Sequence, residues 1–209
     1  MNAGQDYLLI VEDDRDILRL LDAALTFKGY RVILSHNGKE ALEIIQLKRP
    51  QIIITDIMMP QLDGFGLVHR LRIHPDTCNI PVVFITATFV APEDRDFALN
   101  IGATRFIQKP VDLEKFLSTI EELLKQDAPP AIEPFKELYF YEGYRRRLET
   151  KLDQKMKQIA REEHLLETPS KAEDPHLQGL LRRSIRERDE IRFLLFQVYE
   201  QIEKYNRTN

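Results

Sequence analysis

The sequence predicts an α/β domain, a doubly wound five-stranded parallel sheet, followed by an all-α antiparallel helical hairpin. Three observations carry that expectation. Over residues 1–126 five short apolar runs alternate with segments of helical spacing, residues 127–134 are rich in proline, and residues 135–209 hold two long helical patterns joined by a short polar stretch.

The expected strands are YLLIV (Tyr7 to Val11), RVILS (Arg31 to Ser35), QIIIT (Gln51 to Thr55), PVVFI (Pro81 to Ile85) and ATRFI (Ala103 to Ile107). Nearly continuous apolar runs suit strands covered by helices on both faces, the usual condition of a parallel sheet. Between them, Ile17, Leu20, Leu21, Ala24 and Leu25, then Ala41, Leu42, Ile44 and Ile45, recur at helical spacing. Strand and helix therefore alternate, and right-handed crossovers with short connections lay helices on both sides of the sheet. DAPPAIEP (Asp127 to Pro134) places three prolines within six residues. Such a run ends the last helix and makes a semi-rigid connector.

The first long helix is expected over about 135–167, carried by Leu138, Tyr141, Leu148, Leu152, Met156, Ile159 and Leu166 and interrupted by Arg145 and Lys155. The second, over about 175–206, has a seam at Leu177, Leu181, Ser184, Arg188, Ile191, Leu195, Val198, Ile202 and Tyr205. Seven of those nine are apolar or aromatic, which favours a coiled-coil-like helix. Leu180, Leu194 and Tyr199 widen the stripe toward a bundle. At 1.5 Å per residue each helix spans about 50 Å, and similar lengths around the turn-like TPSKAED predict a hairpin. Tyr139, Phe140, Tyr141 and Tyr144 near its start read as core packing. One hairpin alone leaves apolar surface in water. At roughly 1.5–3 kcal/mol per large side chain buried, pairing two hairpins into a four-helix bundle recovers it, so a homodimer through 135–206 is expected.

Glu12, Asp13, Asp56, Thr86 and Lys109 all fall at or just beyond strand ends. In an open parallel sheet those ends line one edge, where ligands bind. Three carboxylates, a hydroxyl and an amine there describe a divalent-metal and phosphoryl site. A carboxylate attacking phosphorus meets an electron-rich group, and a hard cation with a fixed ammonium offsets the charge on the equatorial oxygens. Asp56, Mg²⁺ and Lys109 fit those three roles. Mg²⁺ prefers oxygen ligands and keeps several waters, so an incomplete carboxylate cage suits it.

LLIVEDD, TDIMMPQLDG, FITAT and FIQKP, in this order between about Tyr7 and Gln126, resemble the receiver domain of two-component response regulators. The resemblance implies a flavodoxin-like sheet of order 2-1-3-4-5. It implies that Asp56 accepts a phosphoryl group from a histidine kinase, that Glu12 and Asp13 hold Mg²⁺ together with Asp56, and that Met58 offers the metal its backbone carbonyl. Lys109 would pair with phosphoryl oxygens, Thr86 would hydrogen-bond to the phosphoryl group, and Phe106 would be the switch aromatic that turns inward when Thr86 moves. Asp14 is left to begin the first helix, where an acid suits the dipole. The same resemblance makes the Lys109–Pro110 bond cis, an isomer that costs an X-Pro bond only about 0.5–1 kcal/mol. Asp63 and Gly64 shape the loop beside Asp56, Gly64 by tolerating unusual dihedrals. Met58 and Thr88 flank the path of a hydrolytic water.

Composition narrows the function further. Residues 1–127 carry 14 basic and 19 acidic side chains, a balance of -5, and residues 128–209 carry 16 and 15, a balance of +1. Neither half has the positive excess of a nucleic-acid footprint, and no compact helix-turn-helix with a basic face is evident. The single cysteine, Cys78, precludes an intrachain disulfide. With no apolar run of membrane length and no signal-like N-terminus, the chain is expected in the cytoplasm.

HLLETP (His164 to Pro169) resembles the phosphoacceptor box of histidine-kinase dimerisation helices, H-E-L-R-T-P. Leu165 stands where an acid is expected and Glu167 where a base is expected, and a degenerate scaffold is the preferred reading. The overall expectation is a response regulator, a switch and not a metabolic enzyme, catalysing only its own phosphorylation and dephosphorylation. It would act on a dimeric helical output module, and so on a downstream protein, without binding DNA or membrane. Two alternatives stand beside it: a phosphorelay intermediate using His164, and an aspartyl-phosphate phosphatase. The latter favours an acid two residues after a first-strand nucleophile, then threonine; here Asp13 is followed by Asp14, Arg15 and Asp16.

Overall fold

The computed structural model describes residues 6–87, 91–125, 137–167 and 174–208. Its backbone divides into two compact units, Met1–Phe135 and Lys136–Asn209. The proline-rich stretch 127–134, Thr88, Thr168 and Pro169 lie outside the described residues.

The first unit alternates β1 (Leu8–Val11), α1 (Arg15–Phe27), β2 (Val32–Ser35), α2 (Gly38–Leu47), β3 (Ile52–Thr55), α3 (Gly64–Arg72), β4 (Val82–Thr86), α4 (Pro92–Asn100), β5 (Arg105–Gln108) and α5 (Leu113–Lys125). All strand pairs are parallel, in the order β2-β1-β3-β4-β5. The doubly wound sheet expected from the sequence is the one observed. Side chains of alternate strand positions feed two cores. On one face Leu8, Ile10, Ile52, Ile54, Val83 and Ile85 pack with Leu18, Leu21 and Leu25 of α1 and Phe116, Ile120 and Leu123 of α5. On the other, Phe84 of β4 meets Phe65 of α3 edge-on at 5.5 Å, and Phe65 meets Phe97 of α4 at 5.2 Å.

The first four strands begin one residue later than their sequence runs, and the fifth begins two later. Ala103 and Thr104 belong to the turn out of α4, where Ala103 N–H donates to the Ala98 carbonyl and Thr104 N–H to that of Val82. β5 is one of the two edge strands and the less covered of them, so its apolar signal is the weakest. Local chemistry starts the helices. Asp14 caps α1 by accepting from the backbone of Asp16 and Ile17, Asn37 caps α2 through Glu40, and Asp63 caps α3 through Gly66.

The second unit is α6 (Glu137–Leu166) and α7 (Pro175–Thr208). Cross-helix hydrogen bonds join Glu149 to Tyr199, Lys155 to Glu187 and Glu162 to Ser184, so the helices run antiparallel. On α7 the expected seam positions Ser184, Ile191 and Val198 are buried together with Leu194, and the other expected positions are half-buried. The α6 face is rotated from the expected one. Phe140, Tyr144, Leu148, Lys155, Ile159 and Glu162 are buried, whereas Met156 is 48% exposed. A polar layer lies within this seam. Lys155 donates to Glu187 at 2.6 Å and to Gln158 at 2.8 Å, and the Gln158 amide donates to Glu162 at 2.8 Å and to Ser184 at 3.1 Å. Buried polar groups persist when they find such partners, and Lys155, an interruption in the sequence pattern, sits here because Glu187 of the other helix receives it.

Candidate functional site

Ladder hydrogen bonds carried one residue past the strands set out the site. Glu12 N–H donates to the Ser35 carbonyl at 3.0 Å, Asp56 N–H to Val11 at 3.0 Å and Lys109 N–H to Thr86 at 2.9 Å. The sheet therefore delivers Glu12, Asp56, Thr86 and Lys109 to its carboxyl edge side by side, at the end where α/β sheets bind ligands.

There Lys109 Nζ donates to Asp56 Oδ2 at 2.7 Å and to Glu12 Oε2 at 2.8 Å. The carboxyl oxygens of Glu12, Asp13 and Asp56 approach within 4.8 Å of one another. Asp56 Oδ1 accepts from the backbone of Ile57, and Glu12 Oε1 accepts from that of Asp14. Burial, then the negative charge of Asp56, pushes the Glu12 carboxyl up to about 7, against the pull of Lys109. The same two causes raise Asp13. Burial pulls the Lys109 ammonium down, but the charge of Asp56 and the hydrogen bonds to both carboxylates outweigh it, and its pKa rises. Three carboxylates facing one ammonium leave negative charge uncompensated when ionised. That donor set, all oxygen and clustered within 4.8 Å, fits a hard divalent cation such as Mg²⁺.

The structure brings Glu12, Asp13, Asp56 and Lys109 into one cluster. Met58, half-buried, follows Asp56 in the next loop. Thr86 is fully buried at the end of β4, and its carbonyl receives the Lys109 backbone. Phe106 lies half-buried in β5, in register with Phe84. The Lys109–Pro110 peptide is cis. His164 belongs to the second unit, with its side chain 85% exposed and its Nδ1 3.1 Å from Glu167 Oε2.

Gly64 proves important for a reason other than the expected one. A Cβ there would stand 2.3 Å from the Asp56 carbonyl oxygen and 2.9 Å from the Phe84 ring. Its own N–H donates to Ile57 at 2.8 Å. Close approach, not unusual dihedrals, requires the glycine, and the positive φ of this loop belongs to Gln61 at 67°. The spacing between Asp56 and the DG pair gave no sign of that contact.

The family model for the response regulator receiver domain matches residues 8–121. Among curated relatives, the probable transcriptional regulator ycf27 of Cyanophora paradoxa is 34% identical over 132 residues, 63% of this chain and 54% of the relative. Response regulator MprA of Mycobacterium avium is 38% identical over 122 residues, 58% of this chain and 52% of the relative. The chain thus spans about half the length of the curated relatives it matches. Among solved structures, chemotaxis response regulator CheY4 of Vibrio cholerae aligns at a TM-score of 0.53 and 29% identity, covering 57% of this chain and 99% of that one. The signal receiver domain of a histidine kinase from Syntrophus aciditrophicus aligns at 0.54 and 33%, covering 63% and 100%.

Proposed function

The chain belongs to the response regulator receiver family through residues 8–121, a family of signalling proteins, and from that premise we propose that Asp56 is the phosphoryl acceptor of a switch that acts through the helical hairpin. The observation that carries the proposal is the Lys109 ammonium held against both Asp56 and Glu12. A histidine kinase supplies the phosphoryl group. An Asp56 carboxylate oxygen forms the P–O bond while the P–N bond of the donor imidazole breaks and its electron pair returns to the ring nitrogen. Lys109 Nζ, 2.7 Å from Oδ2, passes its hydrogen bond to a phosphoryl oxygen as charge gathers there. Glu12, Asp13, Asp56 and the Met58 carbonyl would hold Mg²⁺, which when bound offsets charge on the transferring oxygens. Thr86 turns its hydroxyl to the phosphoryl group, and Phe106 follows inward.

Phosphorylation then alters the geometry or partner affinity of a dimeric hairpin, and the output is protein–protein contact in the cytoplasm. Near-neutral charge over 128–209, 16 basic against 15 acidic side chains, supports an output other than DNA binding. No described helix is long and apolar enough to cross a membrane.

Incubation with a small phosphoryl donor and Mg²⁺ tests the acceptor. Native protein gains one acyl phosphate, and Asp56→Asn gains none; equal labelling of the variant would overturn the assignment. A relay through His164 is a second reading, supported by Glu167 at Nδ1, which leaves Nε2 as the free ring nitrogen. Acid-labile phosphate on His164 under saturating donor is its signature, and none should form if the hairpin is only a scaffold.

A further inference from the structure

The two long edges of the hairpin differ in chemistry. Tyr199 Oη donates to Glu149 Oε1 at 2.6 Å, and the Arg145 guanidinium lies 6.0 Å from the Tyr199 ring, so these residues share one edge. Helical spacing continues that edge through Leu152, Met156 and Glu163 on α6 and through Ile185, Arg188, Arg192, Leu195 and Phe196 on α7. Met156 is 48% exposed, Phe196 59% and Tyr199 41%, while Leu152, Ile185 and Leu195 are half-covered. The opposite edge is more polar, with Gln154, Gln158 and Arg161 on α6 and Arg183, Gln197 and Gln201 on α7 exposed, although Leu165 stands 40% exposed one turn from Arg161, and Phe193, on the outer face of α7 one turn from Gln197, is 56% exposed. An apolar strip concentrated on one edge marks an interface.

We infer that this edge, Leu152 and Met156 with Ile185, Leu195, Phe196 and Tyr199, docks against the same edge of a second copy of this chain, α6 of one copy facing α7 of the other. Charge selects both the occupant and the arrangement. On this edge α6 carries Glu149, Glu163 and Glu167 against Arg145, whereas α7 carries Arg188 and Arg192 against Glu203. Facing like helices would oppose acid to acid. Facing α6 with α7 of the partner brings acid to base on both sides of a two-fold axis, and closes four helices around the apolar strip. The inference deepens the homodimer reading above by naming its face.

Sedimentation mass of the full chain without Mg²⁺ or phosphoryl donor is the test. The native chain sediments as a dimer. Met156→Glu with Phe196→Glu yields a monomer of unchanged helicity, and Gln154→Glu with Gln197→Glu on the other edge stays dimeric. Should the first variant lose helicity, charge exchange decides. A chain with Arg188→Glu and Arg192→Glu and a chain with Glu149→Lys and Glu163→Lys each weaken self-association by about tenfold or more, and mixed together they form a heterodimer. A monomeric native chain, which would leave the edge to a helix of another protein, a dimer indifferent to the apolar substitutions, or exchanged chains that fail to pair would each overturn the inference. Asp56 labelling of the same preparations is read separately, so loss of the dimer leaves the phosphoryl reading standing.

Discussion

Lys109 serves two carboxylates at once, and the consequence of removing it follows from their burial. Its side chain is 11% exposed, those of Asp56 and Glu12 12% and 2%. Loss of one partner from a buried pair costs about 3–5 kcal/mol, because the survivors keep their desolvation without their counter-charge. Glu12 can relieve part of this by taking a proton. Lys109→Gln is therefore expected to lower stability by about 3 kcal/mol at pH 8 and less at pH 6 in urea denaturation without metal, with Mg²⁺ restoring part of the loss. The Glu12 carboxyl itself predicts a pH dependence. Its pKa rises from 4.5 to about 7 on folding, so the folded protein holds the proton more tightly. In the metal-free protein ionisation is a penalty absent below pH 4.5 and complete above about 7. Mg²⁺ requires the ionised form, so its apparent affinity should climb about tenfold per pH unit below that pKa and level off above it, by calorimetric titration. Glu12→Gln should flatten the profile.

At the scale of the element, the loop after β3 is held by a glycine against the backbone of Asp56. Gly64→Ala places a methyl where the Asp56 carbonyl stands, 2.3 Å away. Backbone yields less readily than a side chain, so the substitution should cost about 1–3 kcal/mol and slow acyl-phosphate formation, read by denaturation and by labelling rate. In the hairpin, Lys155 and Glu187 form a cross-helix pair at 2.6 Å. Lys155→Met combined with Glu187→Leu should cost less than the two single substitutions together, with a coupling of about 1–3 kcal/mol in a double-mutant cycle. These two elements also mark where sequence reading stops. Apolar runs and strand-end acids located the sheet and brought together Glu12, Asp13, Asp56 and Lys109, because a strand's contacts follow from its periodicity. The role of Gly64 depended on a neighbour's backbone, which no spacing records. The α6 face differs from the expected one because Lys155 reads as a polar interruption and Glu162 gives no apolar signal, while Gln158 on the same helix and Glu187 and Ser184 across the hairpin satisfy them.

At the scale of the whole molecule, two compact units with separate cores should answer to different ligands. Anything that binds only the folded state raises its stability in proportion to the logarithm of its concentration. The carboxylate cluster proposed to hold Mg²⁺ lies in the first unit, so Mg²⁺ should raise the melting transition of that unit and leave the hairpin's transition in place. The hairpin, if its apolar edge is closed by a second copy, should melt at a temperature that climbs with protein concentration. Calorimetry of the full chain over a hundredfold range of protein concentration, with and without Mg²⁺, separates the two dependences. A hairpin transition indifferent to concentration would deny the dimer, and a first transition indifferent to Mg²⁺ would deny the metal site. If phosphorylation alters the hairpin dimer, a phosphoryl mimic added with Mg²⁺ must move the second transition as well, because a signal that passes between two units has to appear as a coupling free energy between them.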